Sequence, residues 1–161
     1  MLNRDFKEFA ELLNARGVEY LVVGGYALAA HGHPRYTGDI DFWLRPTQDN
    51  VERLLGVLKE FGFSSLGLAA ADFDADTVIQ LGQPPRRIDL MTVIDGVEFD
   101  ACYARREKVS LSGISLHIIG LEDFKTNKQA TGRLKDLADL ESLTPPAGES
   151  GGRRRTPDTP D

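Results

Sequence analysis

The sequence predicts an α/β (α+β) fold, and three observations carry the prediction. The apolar run Tyr20-Leu21-Val22-Val23 breaks at once into the pair Gly24-Gly25 and the helix-favouring Tyr26-Ala27-Leu28-Ala29-Ala30, as a buried strand does when it turns into a helix. Asp39 and Asp41 alternate with Ile40, Phe42 and Leu44, the period of a strand with one apolar face. The last third of the chain reads as helix, from about Leu121 to Ala130 and from Leu134 to Leu143. Taken in order, Phe6, Phe9, Ala10 and Leu13 recur at helical spacing, with Asn3 as N-cap and Gly17 as C-cap, which makes the first element an amphipathic helix. A strand over 19–23, the glycine turn and its helix, and the Asp39–Leu44 strand follow. Thr47 then caps a helix whose buried stripe is Val51, Leu54, Leu55 and Leu58, and Gly62 ends it. Residues 64–76 read as a loop with at most a ragged strand. Thr77–Leu81 and Arg87–Val93 read as two strands joined through Gly82-Gln83-Pro84-Pro85. Two short strand-like pieces flank Ser112-Gly113 within 109–119, and Pro145-Pro146 stops the final helix.

The 161 residues, 41% hydrophobic and 27% charged, suit one domain with a core of its own. That domain is expected over residues 1–143. From Thr144 the chain carries no apolar residue larger than alanine, so 144–161 is expected to be a disordered tail. Its triplet Arg153-Arg154-Arg155 reads as solvated, with contact to RNA or another anion as the alternative. A net charge of −6 argues against broad nonspecific nucleic-acid binding, though not against a local basic groove. The lone Cys102 excludes an internal disulfide and reads as a small buried hydrophobe in a reducing compartment. The charged N-terminus lacks a signal-peptide core, and no apolar run approaches membrane-spanning length. The expected location is cytoplasmic.

The chemistry concentrates on the glycine pair and the acids. Backbone N–H groups at the turn of Gly24 and Gly25 can approach an anion closely because glycine has no side chain. Two residues apart in a strand, Asp39 and Asp41 share a face at about 6.5 Å along it, within reach of one divalent cation or a close pair. Asp89 lies in an apolar strand, where an unpartnered carboxylate is costly to bury. Either it pairs with Arg86 or Arg87, or it joins Asp39 and Asp41, and three converging carboxylates demand cations such as a pair of Mg²⁺ ions. Trp43 shares the face of Asp41 and either stacks on a base or packs the strand end. His31 and His33 flank a glycine without a third ligand, which gives no basis for a zinc site. His117 reads as a core or edge histidine.

The glycine pair at a strand-to-helix turn, Asp39-Ile40-Asp41 on the next strand and Asp89 on a later one resemble the DNA polymerase beta-like nucleotidyltransferase superfamily. Gly24-Gly25-Tyr26-Ala27, Arg35-x-Thr37-x-Asp39-Ile40-Asp41 and Lys128…Arg133-x-Lys135-Asp136-x-x-Asp139-x-x-x-Leu143 resemble its small single-domain prokaryotic branch, related to abortive-infection toxin nucleotidyltransferases. The resemblance implies a mixed, mostly antiparallel sheet of about five strands flanked by helices, with C-terminal helices. It implies transfer of a nucleoside monophosphate from a nucleoside triphosphate donor to a hydroxyl acceptor, with release of pyrophosphate. Asp39, Asp41 and Asp89 would be catalytic and would bind two Mg²⁺, or Mn²⁺. Gly24, Gly25, Arg35, Thr37, Lys128, Arg133 and Lys135 would contact the nucleotide. For Lys128, Arg133 and Lys135 a solvated helix face paired with Asp136 and Asp139 is the alternative. The acceptor stays open among a tRNA end, a protein hydroxyl and a small molecule such as an antibiotic. A toxin role with an antitoxin partner fits the same outline, and a non-catalytic nucleotide- or partner-binding module of the same fold is the rival.

Overall fold

In the computed structural model, residues 2–33, 38–63, 66–73, 76, 78–83 and 86–143 are described. Arg35, Thr37 and the 144–161 tail lie outside them, as does the side chain of Lys135. The order is α1 (Arg4–Ala15), β1 (Tyr20–Val23), α2 (Gly24–Ala30), β2 (Ile40–Leu44), α3 (Gln48–Phe61), a 3₁₀ turn (Ala70–Phe73), β3 (Val78–Leu81), β4 (Ile88–Met91), α4 (Phe99–Ala104), β5 (Glu107–Leu111), β6 (Ile114–Ile118), α5 (Leu121–Thr131) and α6 (Leu134–Leu143).

Six strands form one sheet in the order β3-β4-β2-β1-β6-β5. The described sheet therefore has one strand more than the five expected. It is mixed: β1–β2, β3–β4 and β5–β6 are antiparallel, while β2–β4 and β1–β6 are parallel. The hairpin β5–β6 closes through Ser112 at φ 55° and Gly113 at φ 82°, both in the left-handed region that a two-residue turn needs to match the strand twist.

Local chemistry sets the helix ends. Asn3 accepts a hydrogen bond from the backbone N–H of Phe6 in α1, and Thr47 accepts one from that of Asn50 in α3. Gly62, at φ 100°, closes α3. Within 64–76, expected as a loop with at most a ragged strand, no strand forms among the described residues, and a 3₁₀ turn there buries Phe73. Helix α4 was not foreshadowed at all, because six residues are too few to display a helical period. Among the described residues no helix is long and apolar enough to cross a membrane.

The two faces of the sheet differ. Phe42 points toward α1, its ring centroid 5.5 Å from that of Phe9, while Phe9 in turn meets Phe61 of α3 at 5.3 Å. Trp43 points the other way and meets Phe99 of α4 edge-on at 5.1 Å, with its indole N–H donated to the Thr92 carbonyl. Trp43 is 1% exposed, so base stacking is excluded and strand-end packing is its role. Cys102 is fully buried on α4, as expected, and burial pushes its thiol up to about 11. His31 shares a hydrogen bond with the Ile119 carbonyl, and His117 accepts one from Arg106 at its Nδ1.

Candidate active site

Strand pairing assembles the acids. In the parallel ladder between β2 and β4, Asp41 stands opposite Asp89, so their backbones are about 4.8 Å apart and both side chains leave the same face. Asp39 lies one residue before β2, two residues from Asp41 and on the same side. On the other flank, Val23, the last residue of β1, stands opposite Asp41, which puts the glycine turn directly against the carboxylate.

That neighbourhood explains Gly24. Its φ is 71°, and a Cβ there would lie 2.1 Å from Asp41 Oδ2. The turn is therefore bare because the carboxylate occupies the space a side chain would take. Gly25 is buried in the first turn of α2.

Helix α5 closes the site with a polar buried stripe. Asp123, Asn127 and Lys128 are 8%, 8% and 5% exposed, alongside Phe124. Asp123 accepts a bidentate pair from Arg105 at 2.8 and 3.0 Å, and Asn127 donates to the Asp95 carbonyl at 2.9 Å. Lys128 lies 5.4 Å from the Phe124 ring centroid, and its charge favours the ionised form of Asp41. The solvated-face alternative thus fails for Lys128. Arg133 sits exposed at the rim.

Together these groups line a cavity of about 530 Å³ that includes Gly24, Gly25, Asp39, Asp41, Arg87, Asp89, Lys128 and Arg133. Its remaining wall is formed in part by Val78, Met91, Val93 and Ile94. Of the sequence-derived site residues, the fold brings together the three acids, both glycines, Lys128 and Arg133. The structure adds Arg87, Asn127 and Thr131 to the cavity wall. Asn127 carried no local signal, since the inward stripe of α5 is mostly polar and does not stand out from its outer face.

Electrostatics at the floor are strained. Burial first, and then the neighbouring Asp89, push Asp41 up to about 7, with Lys128 acting in the opposite sense. Arg87 answers part of the negative charge. Its Nε donates to Asp89 Oδ1 at 2.7 Å and its Nη2 to Asp89 Oδ2 at 3.2 Å, while Nη2 also lies 3.0 Å from Asp39 Oδ2. Pairing with Arg87 and convergence with Asp39 and Asp41, read from the sequence as alternatives, therefore both occur.

In chemical type the donor set suits divalent Mg²⁺ or Mn²⁺. Three hard carboxylates leave one face of adjoining strands, and Asp41 is crowded enough to hold its proton near neutral pH in the absence of more positive charge. Among the described residues no three His, Cys, Asp or Glu side chains are placed so as to hold a metal ion together.

The family model described as "Nucleotidyl transferase of unknown function (DUF2204)" matches residues 2–153. No curated protein sequence matches the chain. Among solved structures, it resembles TM1012 of Thermotoga maritima, a nucleotidyltransferase by inference, with TM-score 0.54, 18% identity, and coverage of 87% of this chain and 88% of that one. It also resembles the lincosamide antibiotic adenylyltransferase LnuA in its lincomycin-bound form, with TM-score 0.55, 11% identity, and coverage of 89% and 96%. At those identities the two structures establish the fold. The chain belongs to the DUF2204 nucleotidyl transferase family.

Proposed function

We propose that this family member is an Mg²⁺-dependent nucleotidyltransferase that moves a nucleoside monophosphate from a nucleoside triphosphate to a hydroxyl acceptor and releases pyrophosphate. The observation that carries this reading is the pairing of Asp41 with Asp89 across β2 and β4, with Asp39 beside them at the floor of a cavity walled by Lys128. Asp39, Asp41 and Asp89 would hold the cations, whose chemistry is to stabilise charge on the phosphoryl oxygens and make a bound hydroxyl more acidic.

The chain's own groups divide the remaining tasks. Lys128, buried and close enough to act on Asp41, places a fixed positive charge beside the reacting phosphate. The glycine turn packs the start of α2 against Asp41, where its backbone N–H groups would meet phosphate oxygens. Asp89 would take the hydroxyl proton as the acceptor oxygen attacks the α-phosphorus. The bond from that phosphorus to the β-bridging oxygen breaks, and pyrophosphate leaves in line. Arg133 at the rim, with Arg35, Thr37 and Lys135, would contact the triphosphate or the acceptor.

The test is transfer of label from each of four α-³²P nucleoside triphosphates, with Mg²⁺ or Mn²⁺, to total RNA, to protein and to small hydroxyl compounds including a lincosamide, with pyrophosphate measured alongside. We expect label in one acceptor class for the wild type and a loss of about a thousandfold or more for Asp41→Ala and Asp89→Asn. Label in RNA or protein, with growth arrest on expression that a neighbouring gene product relieves, would support a toxin with an antitoxin partner. No label with any nucleotide, from a protein that still binds nucleotide, would leave a non-catalytic binding module.

A further inference from the structure

Arg87 stands immediately before β4, and its guanidinium folds back along the strand onto the acids rather than out to solvent. The contacts are complete in a specific sense. Asp89 receives it on both oxygens, at 2.7 and 3.2 Å, and Asp39 Oδ2 lies 3.0 Å from Nη2. The fourth oxygen, Asp39 Oδ1, accepts the backbone N–H of the same residue at 3.3 Å. Every oxygen of two of the three proposed metal ligands therefore has Arg87 as a partner, while Asp41 is left to Asp89 and Lys128.

A divalent cation needs lone pairs on those same oxygens and repels a guanidinium at such distances. A cation at Asp89 and the Arg87 fork therefore oppose one another, by charge and by sharing the same oxygens. The displaced side chain stays beside the cavity it lines, where a bound nucleoside triphosphate would present its phosphates. The phosphate oxygens of a nucleoside triphosphate match a guanidinium in bidentate geometry and in charge.

Resting on the metal-dependent reading above, we propose that Arg87 is a displaceable internal counter-ion: it holds Asp39 and Asp89 in the metal-free protein and passes to the phosphates when cation and nucleotide arrive together. The cation alone weakens the fork and offers the guanidinium no replacement. Cation with triphosphate exchanges one bidentate pair for another. Binding of the two is then coupled beyond their own mutual attraction, and by linkage each raises the affinity of the other by the same factor. Arg87 is on this view a positioning residue that prevents occupancy of the acids by a cation without its substrate.

The experiment is a Mn²⁺ titration followed by the paramagnetic resonance of the free ion, on wild type, Arg87→Gln, Arg87→Lys and Asp89→Asn, with and without a non-hydrolysable α,β-methylene nucleoside triphosphate. Circular dichroism checks that each variant folds. Arg87→Gln should bind Mn²⁺ alone on the order of tenfold more tightly than wild type, and the gain in Mn²⁺ affinity from nucleotide should shrink by a similar factor. Arg87→Lys, which keeps the charge but not the fork, should fall between and reports the effect should Arg87→Gln not fold. Unchanged or weaker Mn²⁺ binding in both Arg87 variants, with binding abolished in Asp89→Asn, would overturn the counter-ion role and leave the function standing. Absence of saturable Mn²⁺ binding in every protein, with and without nucleotide, would overturn both.

Discussion

On one face of β2, Phe42 sets its ring 5.5 Å from Phe9 and 5.4 Å from Tyr20; on the other, the adjacent residue Asp41 stands against Asp89, Gly24 and the field of Lys128. The backbone of the strand is common to both, so the contrast lies in what the flanking helices bring. Helix α1 contributes Phe6, Phe9, Ala10 and Leu13 to its buried side, whereas α5 contributes Asp123, Asn127 and Lys128 around a single Phe124. One face gains stability from burial. The other accepts crowded carboxylates, a close approach at a glycine and a buried ammonium, each of which opposes folding in the absence of ligand. Sites that bind highly charged substrates are built this way because the charges left unbalanced in the free protein are those the ligand balances.

The largest effect should come from breaking the apolar face. Phe42→Ala removes a fully buried ring in contact with two others and should cost about 3–5 kcal/mol in urea unfolding. Asp41→Asn, one residue along, should cost nothing in the metal-free protein. Equal losses from the two variants would mean that the faces do not divide stability and chemistry as described.

A smaller effect tests the glycine turn. Gly24→Ala introduces a Cβ that would lie 2.1 Å from Asp41 Oδ2, at a φ of 71°. Steric displacement and the left-handed backbone together should cost about 1–3 kcal/mol. A double-mutant cycle separates them: in an Asp41→Ala background the clash disappears and only the backbone cost remains, so the interaction energy measures the contact of carboxylate and turn. An additive cycle would show that Gly24 is required by the turn alone.

Much of this arrangement was legible before any coordinates. Caps at Asn3 and Thr47, the apolar stripes of α1 and α3, and alternation through Asp39–Leu44 are local patterns, and each appears where its chemistry places it. Asp39, Asp41 and Asp89 were readable as a group because carboxylates inside or beside apolar strands require partners. What stayed hidden depends on pairing between distant segments. Nothing local shows that Asp41 takes register with Asp89 through a parallel β2–β4 ladder, or that Arg87 spans from Asp89 to Asp39. The burial of Lys128 was equally unreadable, since α5 has little amphipathic contrast and its inward stripe is mostly polar. The loops that would place Arg35 and Thr37 lie outside the described residues.

The smallest effect is also the most diagnostic of the polar face, because its sign changes the usual expectation for removing a charged residue. Asp41 is pushed from 3.8 to about 7, by burial first and by Asp89 next. A carboxyl whose pKa is raised in the folded state is protonated in both states below pH 3.8, and there it leaves stability untouched. Between pH 3.8 and 7 the unfolded chain loses the proton while the folded one keeps it, so stability falls as pH rises, and the deficit is complete above 7. Asparagine mimics the protonated form. In metal-free protein Asp41→Asn should therefore raise stability by about 1–2 kcal/mol at pH 8, allowing for partial solvation and the coupling to Asp89. The gain should vanish near pH 4. Lys128→Met should leave the onset near pH 3.8 and extend the fall to higher pH, deepening it, since the Lys128 charge favours ionised Asp41. Saturating Mg²⁺ and nucleotide should reverse the order at pH 8, because the wild-type carboxylate gains a cation and the amide does not. Thermal unfolding of the two proteins from pH 4 to 8, with and without ligands, measures all three. A stability difference independent of pH would mean that Asp41 is not held protonated by its neighbours and that the strain on this face lies elsewhere.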